Sequence, residues 1–279
     1  MLTLVRLEIG AVMMENCAPV CFACHYFTSI EYRCPIDPAA PNAWGAGDLD
    51  KMFTKLTQEP YLSEYSVEIL SSPMTHEGGP WVITMEDVVT KEEAIRLIEL
   101  GERVGYSRST EVGSVKPDGS YGTTIQSRRT SETAWCYEKC YEDELAKGVM
   151  DRVSNLTGIP ETNSEYLQLL KYRKGQFYDV HHDYIDYNIR RQRGVRVLTV
   201  FLYLNDVKAG GETKFDQLNI SVVPKRGRAL LWPNVLNERP NEQDNRTTHQ
   251  AFPVEQGVKY GANAWFHMRD FKISNANGC

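Results

Sequence analysis

The stretch Tyr178-Asp-Val-His-His-Asp-Tyr184 sets His181 and Asp183 two positions apart, and His249 follows downstream, just before another predicted strand. In an extended strand, residues two apart project to the same face, so His181 and Asp183 aim together and His182 turns away. Two imidazoles and one carboxylate form the facial set that holds a non-haem iron(II) and leaves positions open for oxygen and a second ligand. A structural zinc site is disfavoured because no thiolate lies beside these residues, while a manganese or zinc hydrolase site stays open. Ten residues after His249 stands Lys259. If both border the metal, the lysine ammonium can neutralise the far carboxylate of a dicarboxylic oxo acid whose keto-acid end chelates the iron.

The elements that must position these groups change character along the chain. Thr90-Lys-Glu-Glu93 reads as a capping box, and Ala94, Leu97, Ile98 and Gly101 follow on one helical face, which predicts a helix over about 91–104. Leu145, Val149, Val153 and Leu156 give a second apolar stripe, ended by Gly158 and Pro160. Both stripes read as core. Between them the polar stretch 107–133 reads as hairpin or loop, long enough to be a mobile cover. From Tyr166 onward the pattern becomes strands: 166–172, 195–204, 220–223, 229–232 and 262–267 are rich in β-branched and aromatic residues, with turns at Gly175, Asn205-Asp206, Gly210-Gly211 and Lys225-Arg-Gly227. This predicts an α+β, mainly β protein, with helices followed by a barrel or a double-sheet jelly roll.

Length and composition bound the rest. With 279 residues, 42% of them hydrophobic, the chain can bury a sizeable core in one large domain or in one domain with a small appendage. The net charge of -6 argues against general affinity for nucleic acid or an anionic membrane, despite the local basic run Arg190, Arg191, Arg193 and Arg196. No apolar window is long enough for a transmembrane helix. The opening fourteen residues, interrupted by Arg6 and Glu8, make a poor signal peptide. Seven cysteines (17, 21, 24, 34, 136, 140 and 279) and sequons at Asn155, Asn219 and Asn245 point instead to an oxidising compartment. A leader upstream of this sequence reconciles the two, which sets the expected location as the endoplasmic reticulum lumen or secretory pathway, with the cytoplasm as the alternative.

Residues 1–80 read as an irregular cysteine- and proline-containing extension, 81–272 as the main domain and 273–279 as a tail. Cys17-x3-Cys21-x2-Cys24 and Cys34 suggest disulfides more than a zinc knuckle. The segment Met14-Glu-Asn-Cys-Ala-Pro-Val-Cys-Phe-Ala-Cys24 resembles the tail of the sea-anemone-toxin-type cysteine module. Cys136 and Cys140 have a spacing compatible with a local disulfide, and Cys279 is left as the odd cysteine, free or intermolecular.

Six pieces in order carry a wider resemblance: Tyr172-x8-His181-x-Asp183, Arg196-x2-Thr199, Tyr203-Leu204, Gly210-Gly-Glu-Thr213, Pro224-x2-Gly227-x-Ala229, and His249-x3-Pro-Val-x2-Gly-x-Lys259. Together, over roughly residues 80–270, they resemble the 2-oxoglutarate- and iron(II)-dependent prolyl 4-hydroxylase catalytic domain. The resemblance implies a double-stranded β-helix (jelly roll) core with N-terminal supporting helices, and iron ligands His181, Asp183 and His249. It implies Lys259 on the far carboxylate of 2-oxoglutarate, helped by Tyr172, Thr213 and Thr199. Tyr178, Arg196, Trp265 and His267 match positions lining the family's peptide groove, and Arg129-Thr-Ser131 matches its mobile loop, with 184–194 as a second cover. The implied reaction hydroxylates peptidyl proline at C4 with O2, splitting 2-oxoglutarate to succinate and carbon dioxide, with ascorbate as the reductant that rescues oxidised iron.

A proline-rich peptide arrives as a preformed polyproline II helix with few donors, so aromatic walls suit its rings while Arg196 can grip backbone carbonyls. The chain departs from the family pattern at His182 (often aromatic), Val180 (often proline) and Tyr260 (often tryptophan). The alternatives are an oxygenase of the same chemistry acting on lysine or a small molecule, and a non-catalytic jelly-roll binding module. The partner expected is a proline-containing peptide or protein; the oligomeric state is not readable.

Overall fold

The computed structural model describes residue 32 and residues 34–75, 78–115 and 121–279. Cys17, Cys21, Cys24 and the toxin-like segment lie outside the described residues.

Among the described residues, the named elements open with α1 (Asp48–Leu56) and α2 (Tyr61–Glu64), then strands β1 (Glu68–Ser71) and β2 (Val82–Met85). Helix α3 (Lys91–Val104) is followed by β3 (Ser107–Arg108), the hairpin β4 (Glu111–Val115) and β5 (Tyr121–Thr124), and β6 (Glu132–Trp135). After α4 (Glu144–Thr157) come β7 (Gln168–Tyr172), β8 (Tyr178–His181), β9 (Arg196–Tyr203), β10 (Ala209–Gly210), β11 (Thr213–Phe215) and β12 (Ile220–Val222). The chain ends with β13 (Ala229–Pro233), β14 (His249–Ala251), β15 (Val254–Gln256), β16 (Lys259–His267) and α5 (Phe271–Ala276).

The two long helices, α3 and α4, start where their sequence satisfies the first-turn amides. The Thr90 hydroxyl accepts from the Glu93 amide and the Glu93 carboxylate accepts from the Thr90 amide, which closes the capping box of α3. Asp143 caps α4 through the Leu145 and Ala146 amides. The α4 stripe is shifted from the sequence reading: Ala146, Val149, Met150, Val153 and Leu156 are buried, while Leu145 is exposed.

The major sheet runs β1-β2-β13-β9-β16-β7-β6-β3 and the minor sheet β12-β11-β14-β8, every described pair between named strands being antiparallel. This is the predicted jelly-roll core. Both faces of the major sheet are covered, so its central strands are buried throughout rather than alternating with solvent. Leu198, Val200 and Leu202 of β9 join the helix-side cluster with Phe53, Leu97 and Val149. Phe201 and Tyr203, at the alternate positions, join Phe215, Val222 and Trp232 in the cluster between the sheets.

The segments on either side of 81–272 are tied into this body. Phe53 of α1 stacks on Trp81 with centroids 5.6 Å apart, and β1, in the part grouped by sequence with the extension, pairs with β2. Cys279 is neither free nor available to another chain: it forms a disulfide with Cys34, 245 positions away, and so closes the described chain end to end. The sequence pairs Cys34 with its near neighbours because distance in the fold is invisible there. Cys136 and Cys140 form the expected local bridge. Among the described residues, no helix is long and apolar enough to cross a membrane.

Candidate active site

His181 is the last residue of β8 and His249 the first of β14, and the antiparallel register sets them directly opposite each other. Asp183 lies two residues beyond the end of β8. The ligand atoms offered by these three residues all lie within 4.8 Å of one another. His181 Nε2 is 4.0 Å from Asp183 Oδ1, and His249 Nε2 is 3.8 Å from Asp183 Oδ2.

Each group is oriented from behind. His181 Nδ1–H donates to the Asp179 carbonyl at 2.7 Å and His249 Nδ1–H to the Thr247 carbonyl at 3.0 Å, which leaves both Nε2 lone pairs facing the shared centre. Burial, then the neighbouring His249, pushes His181 well below the ordinary imidazole range and favours the neutral form that binds metals. The Thr199 hydroxyl donates to Asp183 Oδ2 at 2.8 Å and itself accepts from the Asn234 amide at 2.9 Å. The Tyr178 ring lies parallel to the His181 imidazole, while Trp232 and Phe215 pack on His249. Two free imidazole lone pairs and a carboxylate converging from one side, each held by a second partner, fit a divalent iron with open coordination positions.

His182 points the other way, as its place between two inward residues requires. It accepts from the Tyr184 amide at Nδ1, and its Nε2–H lies 2.9 Å from the Asp244 carbonyl and 3.0 Å from the Thr247 hydroxyl. It therefore ties the Asp183 segment to the loop that delivers His249.

Lys259 opens β16 and is 1% exposed. It donates to the Gly211 carbonyl at 2.8 Å and lies 5.1–5.4 Å from the ring centroids of Tyr172, Phe201 and Tyr203. Gly211 has φ 79°, and a side chain there would meet Lys259 and Val254, so the glycine serves both the turn and the passage of the lysine stem. Burial lowers the Lys259 pKa to about 7, outweighing the opposing pull of Glu212. The Tyr203 hydroxyl donates to Thr213 Oγ1 at 2.7 Å, which frees the threonine proton for another acceptor. A desolvated ammonium with unused donors beside a free hydroxyl proton fits a carboxylate.

One cleft is lined by Arg129, Tyr172, Tyr178, Thr213, Lys259 and Trp265 together with the three metal-ligand candidates. Three residues expected there lie outside its lining. Thr199 turns its hydroxyl onto Asp183 instead of the cosubstrate pocket. His267 is fully buried, and the β16 register slips between Phe266 and His267. Its ring nitrogens reach the Gly194 carbonyl and Glu165 instead of the groove. Arg196 is paired with Glu165 and lies 3.6 Å from the Trp265 ring centroid, so it backs the wall rather than facing the opening. Arg196, followed by hydrogen bonds and charge from His267, overcomes burial and holds the Glu165 carboxyl well below its ordinary range.

Arg129 is buried, 4.4 Å from the Tyr178 ring centroid, and bonded to Ser131, Thr110 and Gln168. Leu170, Phe201, Trp232, Ala251 and Asn263 complete the lining and were missed by the sequence reading. Alternation along β16 gave a usable sign for Asn263, which lies on the same face as Lys259 and Trp265.

Comparison with known proteins now decides the family. The 2OG-Fe(II) oxygenase superfamily model matches residues 167–267, which hold every metal-ligand candidate and Lys259. A probable prolyl 4-hydroxylase 8 of Arabidopsis thaliana is 33% identical over 215 residues, which cover 69% of this chain and 70% of the relative. The chain belongs to the prolyl 4-hydroxylase family of 2OG-Fe(II) oxygenases. Prolyl 4-hydroxylase subunit alpha-2 of Gallus gallus is 31% identical over 208 residues, covering 72% of this chain but only 37% of that subunit. The chain thus spans little more than a third of that subunit's length. A viral collagen prolyl hydroxylase from Paramecium Bursaria Chlorella virus-1, in a 2OG complex, shares the fold with a TM-score of 0.51 and 23% identity, covering 67% of this chain and 95% of its own.

Proposed function

We propose that this domain hydroxylates peptidyl proline at C4, coupled to conversion of 2-oxoglutarate to succinate and carbon dioxide. The carrying observation is one cleft in which His181, Asp183 and His249 converge and Lys259 is buried on the wall. Iron(II), together with O2 and 2-oxoglutarate, supplies the oxidising chemistry that replaces C–H by C–OH. His181, Asp183 and His249 would hold the iron. Lys259 fixes the far carboxylate of 2-oxoglutarate, and Thr213 donates its free proton to the same group, with Tyr172 as the adjoining wall. Tyr178 and Trp265 offer ring faces to a polyproline II segment. Arg196, held by Glu165, sets the position of Trp265, and Arg129 braces Tyr178. Thr199 and His267 act through Asp183 and Glu165 respectively.

Ascorbate is the proposed reductant, and the endoplasmic reticulum or another part of the secretory pathway the proposed location, supported by the Cys34–Cys279 and Cys136–Cys140 disulfides. The test is incubation with iron(II), 2-oxoglutarate, ascorbate and a proline-rich peptide, read by mass spectrometry for addition of one oxygen atom at a proline ring. Asp183→Ala and His249→Ala should abolish it. Full turnover by either variant, or oxygen added only to lysine or to a small molecule, would refute the proposal.

A further inference from the structure

The fold treats the three Asn-x-Ser/Thr sequons differently. Asn155 lies in α4, and the Thr157 hydroxyl that completes its sequon is buried and donates to the Val153 carbonyl at 2.9 Å. In the sequon at Asn245 the Thr247 hydroxyl is fully buried, donates to the Asp244 carbonyl at 3.0 Å and meets His182 Nε2 at 3.0 Å. The Asn245 carboxamide oxygen accepts from Gln243 at 2.8 Å. Neither threonine can be presented to another protein without undoing those bonds.

Asn219-Ile-Ser221 is arranged the other way. Leu218 and Val222 are buried in the cluster between the sheets and Ile220 packs against it, while the alternate residues Asn219 and Ser221 are exposed. Asn219 turns the chain through the left-handed region (φ 55°, ψ 38°) between a short helical turn over Asp216–Leu218 and β12. Among the described residues, neither the Asn219 carboxamide nor the Ser221 hydroxyl makes a hydrogen bond. Strand β12 is three residues long, stands at the edge of the minor sheet and is bonded there only to β11, and Val223 just beyond it is 55% exposed. A short edge segment of this kind opens at little cost. Neither Asn219 nor Ser221 lines the cleft.

We propose that Asn219 carries an N-linked oligosaccharide that covers the open edge of β12. The proposal rests on the secretory location proposed above. The co-reactant is an oligosaccharide linked to a lipid pyrophosphate. Asn219 Nδ2 bonds to the anomeric carbon of the first sugar, the bond from that carbon to the pyrophosphate oxygen breaks, the lipid pyrophosphate leaves as the anion, and the displaced amide proton passes to solvent; nothing is oxidised or reduced. A bulky polar group at this place meets solvent and blocks an edge that is otherwise free to pair with another chain. Asn also suits a positive φ without modification, but Asp meets that need equally and it makes no demand on residue 221.

The test produces the full chain behind a cleavable secretory leader in eukaryotic cells and reads the peptide carrying residue 219 by mass spectrometry before and after peptide-N-glycosidase. In wild type that peptide should lose one glycan and show aspartate in place of Asn219. Ser221→Thr should keep the glycan, whereas Ser221→Ala and Asn219→Asp should each lose it with iron affinity and turnover unchanged; either of the last two serves if the other fails to fold. In a second arm the folded, unglycosylated chain meets an oligosaccharyltransferase and its lipid-linked donor, and Asn219 should be modified ahead of Asn155 and Asn245. A bare Asn219 in secreted wild type, or modification of Asn155 or Asn245 first in the folded chain, overturns the proposal. A glycan on Asn219 in that host but none on the chain isolated from its own cells overturns the secretory location instead.

Discussion

The Tyr178 ring lies over the His181 imidazole with centroids 3.5 Å apart and planes 15° from parallel, and Arg129 closes the other side of the phenol. A residue matched to the peptide groove therefore also fixes the plane of a metal-ligand candidate. Tyr178→Phe keeps the stack and should leave iron affinity near wild type. Tyr178→Ala removes it and should weaken iron binding by about tenfold, in the range of groups that orient metal ligands. Titration of the apoprotein with iron(II) under anaerobic conditions reads this directly, and equal affinities for the two variants would contradict it.

Lys259 gives a pH dependence with a definite sign. Its pKa falls from 10.5 to about 7 on folding because the ammonium is stripped of water among Tyr172, Phe201 and Tyr203, which outweighs the opposing charge of Glu212. Between about 7 and 10.5 the unfolded chain binds more protons at this site, so the lysine contribution to stability rises with pH across that window. Cosubstrate affinity runs the opposite way: a carboxylate needs the charged ammonium, so 2-oxoglutarate should bind more weakly as pH rises above about 7. Lys259→Ala should raise the KM for 2-oxoglutarate by about 10- to 100-fold, the worth of one or two charge-assisted bonds. It should also flatten that part of the pH profile; an unchanged slope would assign the titration to another group.

How far the sequence carried depends on whether a contact is local. His181 and Asp183 were legible from alternation, and α3 begins where Thr90 and Glu93 place it because a capping box is complete within four residues. Lys259 was legible as a charge near the start of a strand, but its isolation from solvent comes from rings on β7 and β9 and a carbonyl at Gly211. Thr199 shows the limit: its inward position follows from alternation, but that its hydroxyl meets Asp183 depends on how the two sheets close. His267 differs, since only the resemblance set it in the groove, and a register slip after Phe266 accompanies its turn onto the Gly194 carbonyl and Glu165. The partner of Cys279 lies 245 positions away, beyond any spacing argument.

His182 is a departure from the family pattern with a structural use. Its bonds to the Asp244 carbonyl and the Thr247 hydroxyl couple the turn holding Asp183 to the loop before His249. His182→Phe keeps an aromatic ring but removes the Nε2–H that bridges the Asp244 carbonyl and the Thr247 hydroxyl and the Nδ1 that accepts from the Tyr184 amide, at a cost of about 1–3 kcal/mol. Iron affinity should fall by about 10- to 100-fold with a smaller change in KM for 2-oxoglutarate. Comparing the two titrations separates a positioning role from general destabilisation, which would weaken both alike.

The Cys34–Cys279 bridge should supply much of the cohesion between the two ends of the chain. In the chain-entropy account a loop of this length restrains the unfolded state by about 5 kcal/mol, an upper figure for the real effect. The Cys34→Ser, Cys279→Ser double variant should therefore melt on the order of 10 °C lower than wild type, taking about 2–4 °C per kcal/mol for a chain of this size. The double variant isolates this bridge, because a reductant would open Cys136–Cys140 as well. A peptide map of the unreduced protein should join the fragments carrying Cys34 and Cys279. Finding Cys34 joined instead to Cys17, Cys21 or Cys24 would refute the pairing and return Cys279 to the free or intermolecular thiol that the sequence alone suggests.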